Sequence, residues 1–309
     1  RPPGVPLSPF GAKSTAEEVT AGLDLTGRTA LVTGANSGLG LETMRVLALR
    51  GAHIIGTART LDKAREACAS VAGLTTPMAL ELTDFDAVVA CATAVAALQV
   101  PIDMLVANAG VMEIPTLEQV RGIEKHFVTN HLGHFVLVQR LLPRVLAARQ
   151  GRVVVVSSGA AYRDAPAEGI EFDNLSGARG YEPNRMYGQS KLANHLMVFE
   201  LAHRFAAAGS TATANSVHPG IINTNLGRHF SAWKRLAGKL IGWTFMKSVP
   251  EGAATTCYVA TAAALAKTSG VYFEDCNPVV PVAGKHMDDA ALAARLWDES
   301  VRLTAKYLA

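Results

Sequence analysis

The chain has 309 residues, 49% of them hydrophobic and 18% charged, with a formal net charge of +3 at pH 7. That composition supplies a sizeable core, and with no long run of Lys and Arg it gives no basis for a nucleic-acid or anionic-membrane binder. No stretch reaches the ~18 consecutive apolar residues of a membrane span. The first nine residues, Arg1 to Pro9, lack the apolar segment of a signal peptide. Cys68, Cys91, Cys257 and Cys276 have neither disulfide-framework nor zinc-ligand spacing, and the nine histidines show no metal pattern. His131 and His134, three apart, read as packing or supporting groups. These features predict a cytoplasmic protein with reduced, buried thiols, no metal and no membrane span. Residues 1–22 read as an N-terminal arm and 23–309 as one domain.

In chain order, strands are predicted at 29–33, 53–57, 77–81, 103–107, 152–157, 212–217 and near 279–282, with helices filling most of the gaps. Continuous apolar runs such as Val153-Val154-Val155-Val156 suit strands buried on both faces, as a parallel sheet requires. Right-handed crossovers then give an α/β, doubly wound sheet of about seven strands with helices on both sides. Ligands of such sheets lie at the carboxyl ends of the strands, where Gly34, Asn108, Ser158 and His218 all fall.

The first strand runs into Gly34-Ala35-Asn36-Ser37-Gly38-Leu39-Gly40, and a helical pattern follows from Leu41 to Arg50. Glycines permit positive φ and close backbone approach, and the free N–H groups of a helix's first turn attract phosphate. The Gly-x-x-x-Gly-x-Gly spacing differs from the Gly-x-Gly-x-x-Gly dinucleotide fingerprint but serves the same physics. Far downstream, Tyr187 and Lys191 stand four apart on a predicted helix, so phenol and ammonium share one face. A cation beside a phenol favours the phenolate and brings an ordinary tyrosine pKa of about 10 closer to working pH.

On these residues the chain resembles the short-chain dehydrogenase/reductase superfamily, and within it the retinol-dehydrogenase-like and WW-domain-oxidoreductase-like branch. The resemblance runs from about Phe10 to the C-terminus. It includes Thr33 to Gly40, Asn108-Ala109-Gly110, Asn130-His131-Leu132-Gly133-His134, Val156-Ser157-Ser158, Tyr187 to Asn194 and His218-Pro219-Gly220. The branch's C-terminal signature is matched by Ser269 to Cys276 and Leu296 to Ser300. It implies a Rossmann-type single domain, usually dimeric or tetrameric, that moves hydride between a nicotinamide and a carbonyl or alcohol. Tyr187 would then be general acid/base, and Lys191 would lower its pKa and bind the nicotinamide ribose. Ser158 would hold the substrate oxygen, and Asn130 would offer the carbonyl that orients a relay water. The cofactor set implied is Gly34, Asn36, Ser37, Gly38, Leu39, Gly40, Arg59, Glu81, Leu82, Asn108, Ala109, Gly110, Tyr187, Lys191, Pro219, Gly220, Ile222 and Thr224.

Two positions depart from the family pattern. Ala107 replaces the first asparagine of Asn-Asn-Ala-Gly, and Glu81 stands where relatives carry the aspartate that meets adenine. The second strand ends at Ala58-Arg59-Thr60 without a carboxylate, so an arginine suited to a ribose 2′-phosphate predicts NADP, with Lys63 as helper. Residues 221–248 correspond to the family's substrate lid. They hold Leu226, Phe230, Trp233, Leu236, Leu240, Ile241, Trp243, Phe245 and Met246, which suits a bulky hydrophobic ketone or alcohol. The substrate set is therefore Ser158, Tyr187 and Trp243, with Tyr162 and Tyr181 as a second wall. The alternative is a catalytically silent nucleotide-binding sensor or scaffold of the same fold; the presence of all four catalytic residues favours the enzyme.

Overall fold

Strand β1 (Thr29–Val32) is buried along its whole length and pairs in parallel with β2 (His53–Ala58) on one side and β4 (Met104–Ala107) on the other. The computed structural model that shows this describes residues 2–222, 246–280 and 286–308. β3 (Thr75–Ala79) extends the β2 side, and its Pro77 is tolerated because the strand is an edge. On the β4 side follow β7 (Arg152–Val156) and β8 (Thr213–His218), both parallel. A small antiparallel hairpin, β5 (Gln119–Val120) and β6 (Ile123–Glu124), stands apart. Because β1 is flanked by β2 and β4, chain order reverses there, which opens a crevice above the carboxyl ends of β1 and β4.

Side-chain alternation explains the unbroken apolar strands. Leu31, Leu105, Val153 and Val155 enter one core, and Ala30, Val32, Met104, Val106, Val154 and Val156 enter the other. The second core is closed by α1 (Ala16–Val19), α2 (Gly38–Leu49) and α3 (Leu61–Ala69). The first is closed by α4 (Phe85–Ala97) and α5 (Gly133–Leu146), with α6 (Ala160–Arg163) contributing Ala161. The 25-residue α7 (Pro183–Ala207) completes that layer. Further on, α8 (Val249–Thr261) joins the second core, and α9 (Ala290–Thr304) lies on α7 in the first.

The final strand differs from the expected position near 279–282. β9 (Tyr272–Glu274) is the parallel neighbour of β8, and β10 (Asn277–Pro278) folds back antiparallel to it, making eight strands. The turn between them has both central residues left-handed, Asp275 at φ 51° and Cys276 at φ 61°. Such two-residue hairpins are usually announced by Asn-Gly or Asp-Gly, and Asp-Cys conceals the signal. The N-terminal segment is packed. Ala16 and Val19 lie in the core, Ser8 N–H donates to Asn277 Oδ1 (2.9 Å), and Asn277 Nδ2 donates to Phe10 O (2.8 Å).

Candidate active site

The glycine loop after β1 is shaped by contacts that leave no room for side chains. Gly34 and Gly38 adopt φ of 67° and 53°. A Cβ on Gly40 would lie 2.6 Å from Asn108 Nδ2, so only glycine lets α2 approach the end of β4. Ser37 caps α2 without a side-chain hydrogen bond, and the first turn has no acidic residue. The opening N–H groups of α2 are therefore left for an anion, and this cradle fits a pyrophosphate.

Thr33 ties the two strand ends together. Its Oγ1 accepts the N–H groups of Asn108 and Ala109, each at 2.9 Å, while its carbonyl accepts Asn108 Nδ2 at 2.9 Å. With its lone pairs occupied, the hydroxyl proton points to His134 Nε2 (2.9 Å), which places the imidazole proton on Nδ1, donating to Asn130 O at 3.0 Å. His134 is held neutral, its pKa pushed down to about 4 by burial. His131 and His134 are thus both buried polar supports, and the described residues contain no group of His, Cys, Asp and Glu able to hold a metal.

Asn130 lies in a π-helical turn, Phe127–Leu132, that leads into α5. Wide turns of this kind break the α-helical ladder and recur at functional sites. The Asn130 side chain clamps the loop after β4: Oδ1 accepts Val111 N–H (2.8 Å), and Nδ2 donates to Val111 O and to Ser190 Oγ, both at 2.9 Å. A Cβ on Gly110 would meet Asn130 Oδ1 at 3.1 Å and Lys191 Nζ at 3.4 Å, so this glycine lets the two groups converge.

Tyr187, Lys191, Ser158 and Asn130 are brought together at this point. Lys191 Nζ stands 5.7 Å from the centre of the Tyr187 ring and donates to Val156 O (3.0 Å), while its carbonyl accepts Ser157 Oγ (2.7 Å). Burial lowers the Lys191 pKa to about 8. Burial also pushes Tyr187 up to about 12, opposed by a hydrogen bond from Ser158 and reinforced by the carboxylates of Glu113 and Asp164. The phenol pKa is therefore raised, chiefly by desolvation, where the Tyr187–Lys191 spacing predicts a lowering. His126 meets the Tyr187 ring edge-on at 6.0 Å, its Nδ1 bonded to the buried Glu124 (2.7 Å).

The remaining positions surround this cluster. Ala35 N–H donates to Thr57 O (2.8 Å), which brings the glycine loop beside the end of β2 and the exposed Arg59. A shallow hollow of about 330 Å³ lined by Asn36, Lys63 and Ser70 adjoins it. Glu81 turns back on its own backbone, Oε1 accepting Thr83 N–H (2.9 Å), and Leu82 packs against Gly133. Burial at the strand end lowers the His218 pKa to about 4. Pro219 and Gly220 follow, the latter packed on Lys247, whose N–H donates to Ile221 O (2.8 Å). Ile222 and Leu39 both pack over Gly252, which draws the two loops together. Tyr181 donates to Ile114 O (2.6 Å), and Tyr162 packs edge-on against Tyr272. Thr224, Trp243 and the aromatic residues up to Phe245 lie outside the described residues. Sequence reasoning places Thr33, Ser157 and Ser190 inside the motifs but assigns them no role of their own; their one signal is that membership.

Comparison with known proteins fits this geometry. The family model described as short chain dehydrogenase matches residues 28–170. Short-chain dehydrogenase TIC 32 B, chloroplastic, of Brassica napus is 40% identical over 306 residues, 96% of this chain and 94% of that protein. Retinol dehydrogenase 14 of Homo sapiens is 35% identical over 295 residues, covering 89% and 85%. A crystal structure of an uncharacterised protein from Mycobacterium paratuberculosis superposes with a TM-score of 0.75 at 33% identity, covering 93% of this chain and 97% of that one.

Proposed function

Because the chain belongs to the short-chain dehydrogenase/reductase family, on its retinol-dehydrogenase-like branch, we propose that it is an NADP(H)-dependent oxidoreductase interconverting a bulky hydrophobic ketone or aldehyde and its alcohol. The observation that carries this is the convergence of Tyr187, its Ser158 hydrogen-bond partner and the buried Lys191 beside Gly110, in the loop that packs on Gly34 of the glycine cradle.

A bound nicotinamide supplies or accepts the hydride. The protein's own residues handle the proton and the position of the carbonyl. Ser158 holds the substrate oxygen beside the Tyr187 phenol, giving it two donors as negative charge develops. With a pKa of about 12, Tyr187 keeps its proton at neutral pH and can deliver it to the nascent alkoxide. Lys191, charged below about pH 8, stabilises the phenolate left behind. Gly110, lacking a side chain, lets Asn130 and Lys191 approach one another on the lysine side of the cleft.

The choice of NADP rests on Arg59, which has no ion-pair partner among the described residues, and on Lys63 nearby. The preference for a bulky apolar substrate rests on the aromatic content of 221–248. No helix among the described residues is long and apolar enough to cross a membrane. A cytoplasmic site is supported by four free, buried cysteines, and fractionation of the expressed chain tests it. A homodimer or homotetramer is the family expectation, which sedimentation would measure.

Thermal shift with NADPH and NADH, followed by NADPH oxidation with ketones of graded size, tests the whole reading. We expect stronger stabilisation by NADPH and a kcat/KM that rises with apolar size by about 1 to 3 kcal/mol for each well-filled increment. Stabilisation without turnover of any ketone, aldehyde or alcohol would assign the chain to a nucleotide-binding scaffold instead.

A further inference from the structure

Lys247 holds the loop after β8 through both its backbone and its side chain. Its N–H donates to Ile221 O (2.8 Å), and it pairs in parallel with Ile222. Its stem lies over Gly220, where a Cβ would meet Lys247 Cδ at 2.8 Å and Cε at 2.9 Å. Gly220 is left-handed at φ 89°, so a glycine both turns the chain here and leaves room for the stem. Lys247 is only 8% exposed, and its ammonium is paired with Asp275 in the β9–β10 turn. A charge so well covered is costly without its partner.

The turn that carries Asp275 is itself held from two other directions. Cys276 N–H donates to Thr255 Oγ1 on α8 (3.1 Å). Asn277 Nδ2 donates to Asp275 O (3.0 Å) and to Phe10 O, while Asn277 Oδ1 accepts the Ser8 N–H, so the N-terminal segment braces the same turn. These contacts keep Asp275 and Cys276 left-handed, a conformation that persists in residues with a Cβ only when the surroundings hold it. The loop that Lys247 covers runs on to Ile222, which packs over Gly252 beside Leu39 of the glycine loop. The ion pair, the β8 loop and the glycine loop therefore form one continuous line of contact.

We infer that Lys247 and Asp275 are positioning residues that set the loop 219–222 for the nicotinamide half of the cofactor. Arg59 follows β2 and Ser158 follows β7, on opposite sides of β1 and β4. A dinucleotide lying across the crevice thus has its adenine half toward β2 and its nicotinamide half toward β7 and β8. The loop after β8 stands at the second of these. Asp275 anchors the ammonium, and the anchored stem holds Gly220 in place. Without Asp275 the ammonium would turn to water, and the stem would leave the loop with it. Both residues act through the loop, and the inference rests on the reading of Pro219, Gly220 and Ile222 as cofactor residues.

The experiment measures binding to the full-length protein of NADPH and of adenosine 2′,5′-bisphosphate, which lacks the nicotinamide half. Asp275→Asn removes the charge but keeps the turn, since asparagine tolerates the left-handed region. It should weaken NADPH about tenfold, as expected when about a tenth of the loops remain correctly placed, and adenosine 2′,5′-bisphosphate by less than about twofold. Lys247→Ala, which strips the cover from Gly220, should do the same. In Lys247→Met, whose side chain covers Gly220 with no charge to neutralise, Asp275→Asn should have no further effect beyond about twofold. Equal weakening of both ligands, a lower Tm with both affinities unchanged, or an Asp275→Asn loss undiminished in Lys247→Met would overturn the inference. If the chain prefers NADH, the pair NADH and ADP gives the same comparison. Amide exchange of the nucleotide-free protein needs no ligand. There Asp275→Asn should speed exchange at the Lys247 N–H about tenfold and leave the β8 amides unchanged. An unchanged Lys247 N–H refutes the positioning role, even if no nucleotide is bound and the proposed activity fails.

Discussion

Replacing Lys191 by Met removes one charge and little volume, so its consequences can be worked from the site. The ammonium is 5.7 Å from the centre of the Tyr187 ring. Two unit charges at that separation, in a site of effective dielectric ~20, attract by about 3 kcal/mol, or about two pKa units. At pH 7 the phenol, with a pKa of about 12, is protonated and the ammonium, at about 8, is charged. That is the state ketone reduction needs, and the attraction grows as the phenol gives up its proton. The Lys191→Met protein should therefore lose about 10²-fold in kcat at pH 7 with both substrates saturating. Burial has lowered the lysine pKa, so its charge is present below about 8 and is lost as pH rises through that value. The ratio of wild-type to variant kcat should then shrink steadily above about pH 8, measured as NADPH consumption over a pH series. A ratio that stays flat across that range, or a loss smaller than about threefold at pH 7, would refute this electrostatic role for Lys191.

Tyr187→Phe should cut kcat by about 10² to 10⁴ while leaving the NADPH dissociation constant nearly unchanged, a split that fluorescence titration and steady-state kinetics can read separately. Arg59→Glu should weaken NADPH binding by about tenfold or more and leave NADH little affected; equal effects on the two would remove Arg59 from the 2′-phosphate. Gly40→Ala forces a Cβ to 2.6 Å from Asn108 Nδ2, so urea unfolding should show a loss of about 1 to 3 kcal/mol along with weakened cofactor binding. Acid should also destabilise the fold. Burial depresses the pKa values of His131, His134, His195 and His218 to between about 3 and about 4. The unfolded chain therefore takes up protons near pH 6.5 that the native state refuses, and stability falls as pH drops below about 6.5, by up to about 2 kcal/mol per histidine at pH 5. A urea midpoint unchanged between pH 7 and 5 would contradict this.

Features set by near neighbours are legible in the sequence alone. The buried strands through Leu31, Leu105 and Val153 can be read because parallel strands covered on both faces must be apolar throughout. The loop Gly34 to Gly40 can be read because positive φ and backbone contact demand glycine. The pairing of Tyr187 with Lys191 follows from the period of a helix. Other features depend on partners distant in the chain and emerge only in the folded molecule. Asn130 clamps Val111 and Ser190, 19 and 60 residues away, and His131 reaches Ser300 across 169. The β9–β10 turn through Asp275 and Cys276 is hidden because surrounding contacts, rather than a glycine, hold it left-handed. The direction of the Tyr187 shift is likewise a property of the fold. Spacing announces the nearby cation, but the phenol's surroundings include His126, Ser158, Glu113 and Asp164, which follow β6, β7, β4 and α6 and meet only when the chain has closed on itself.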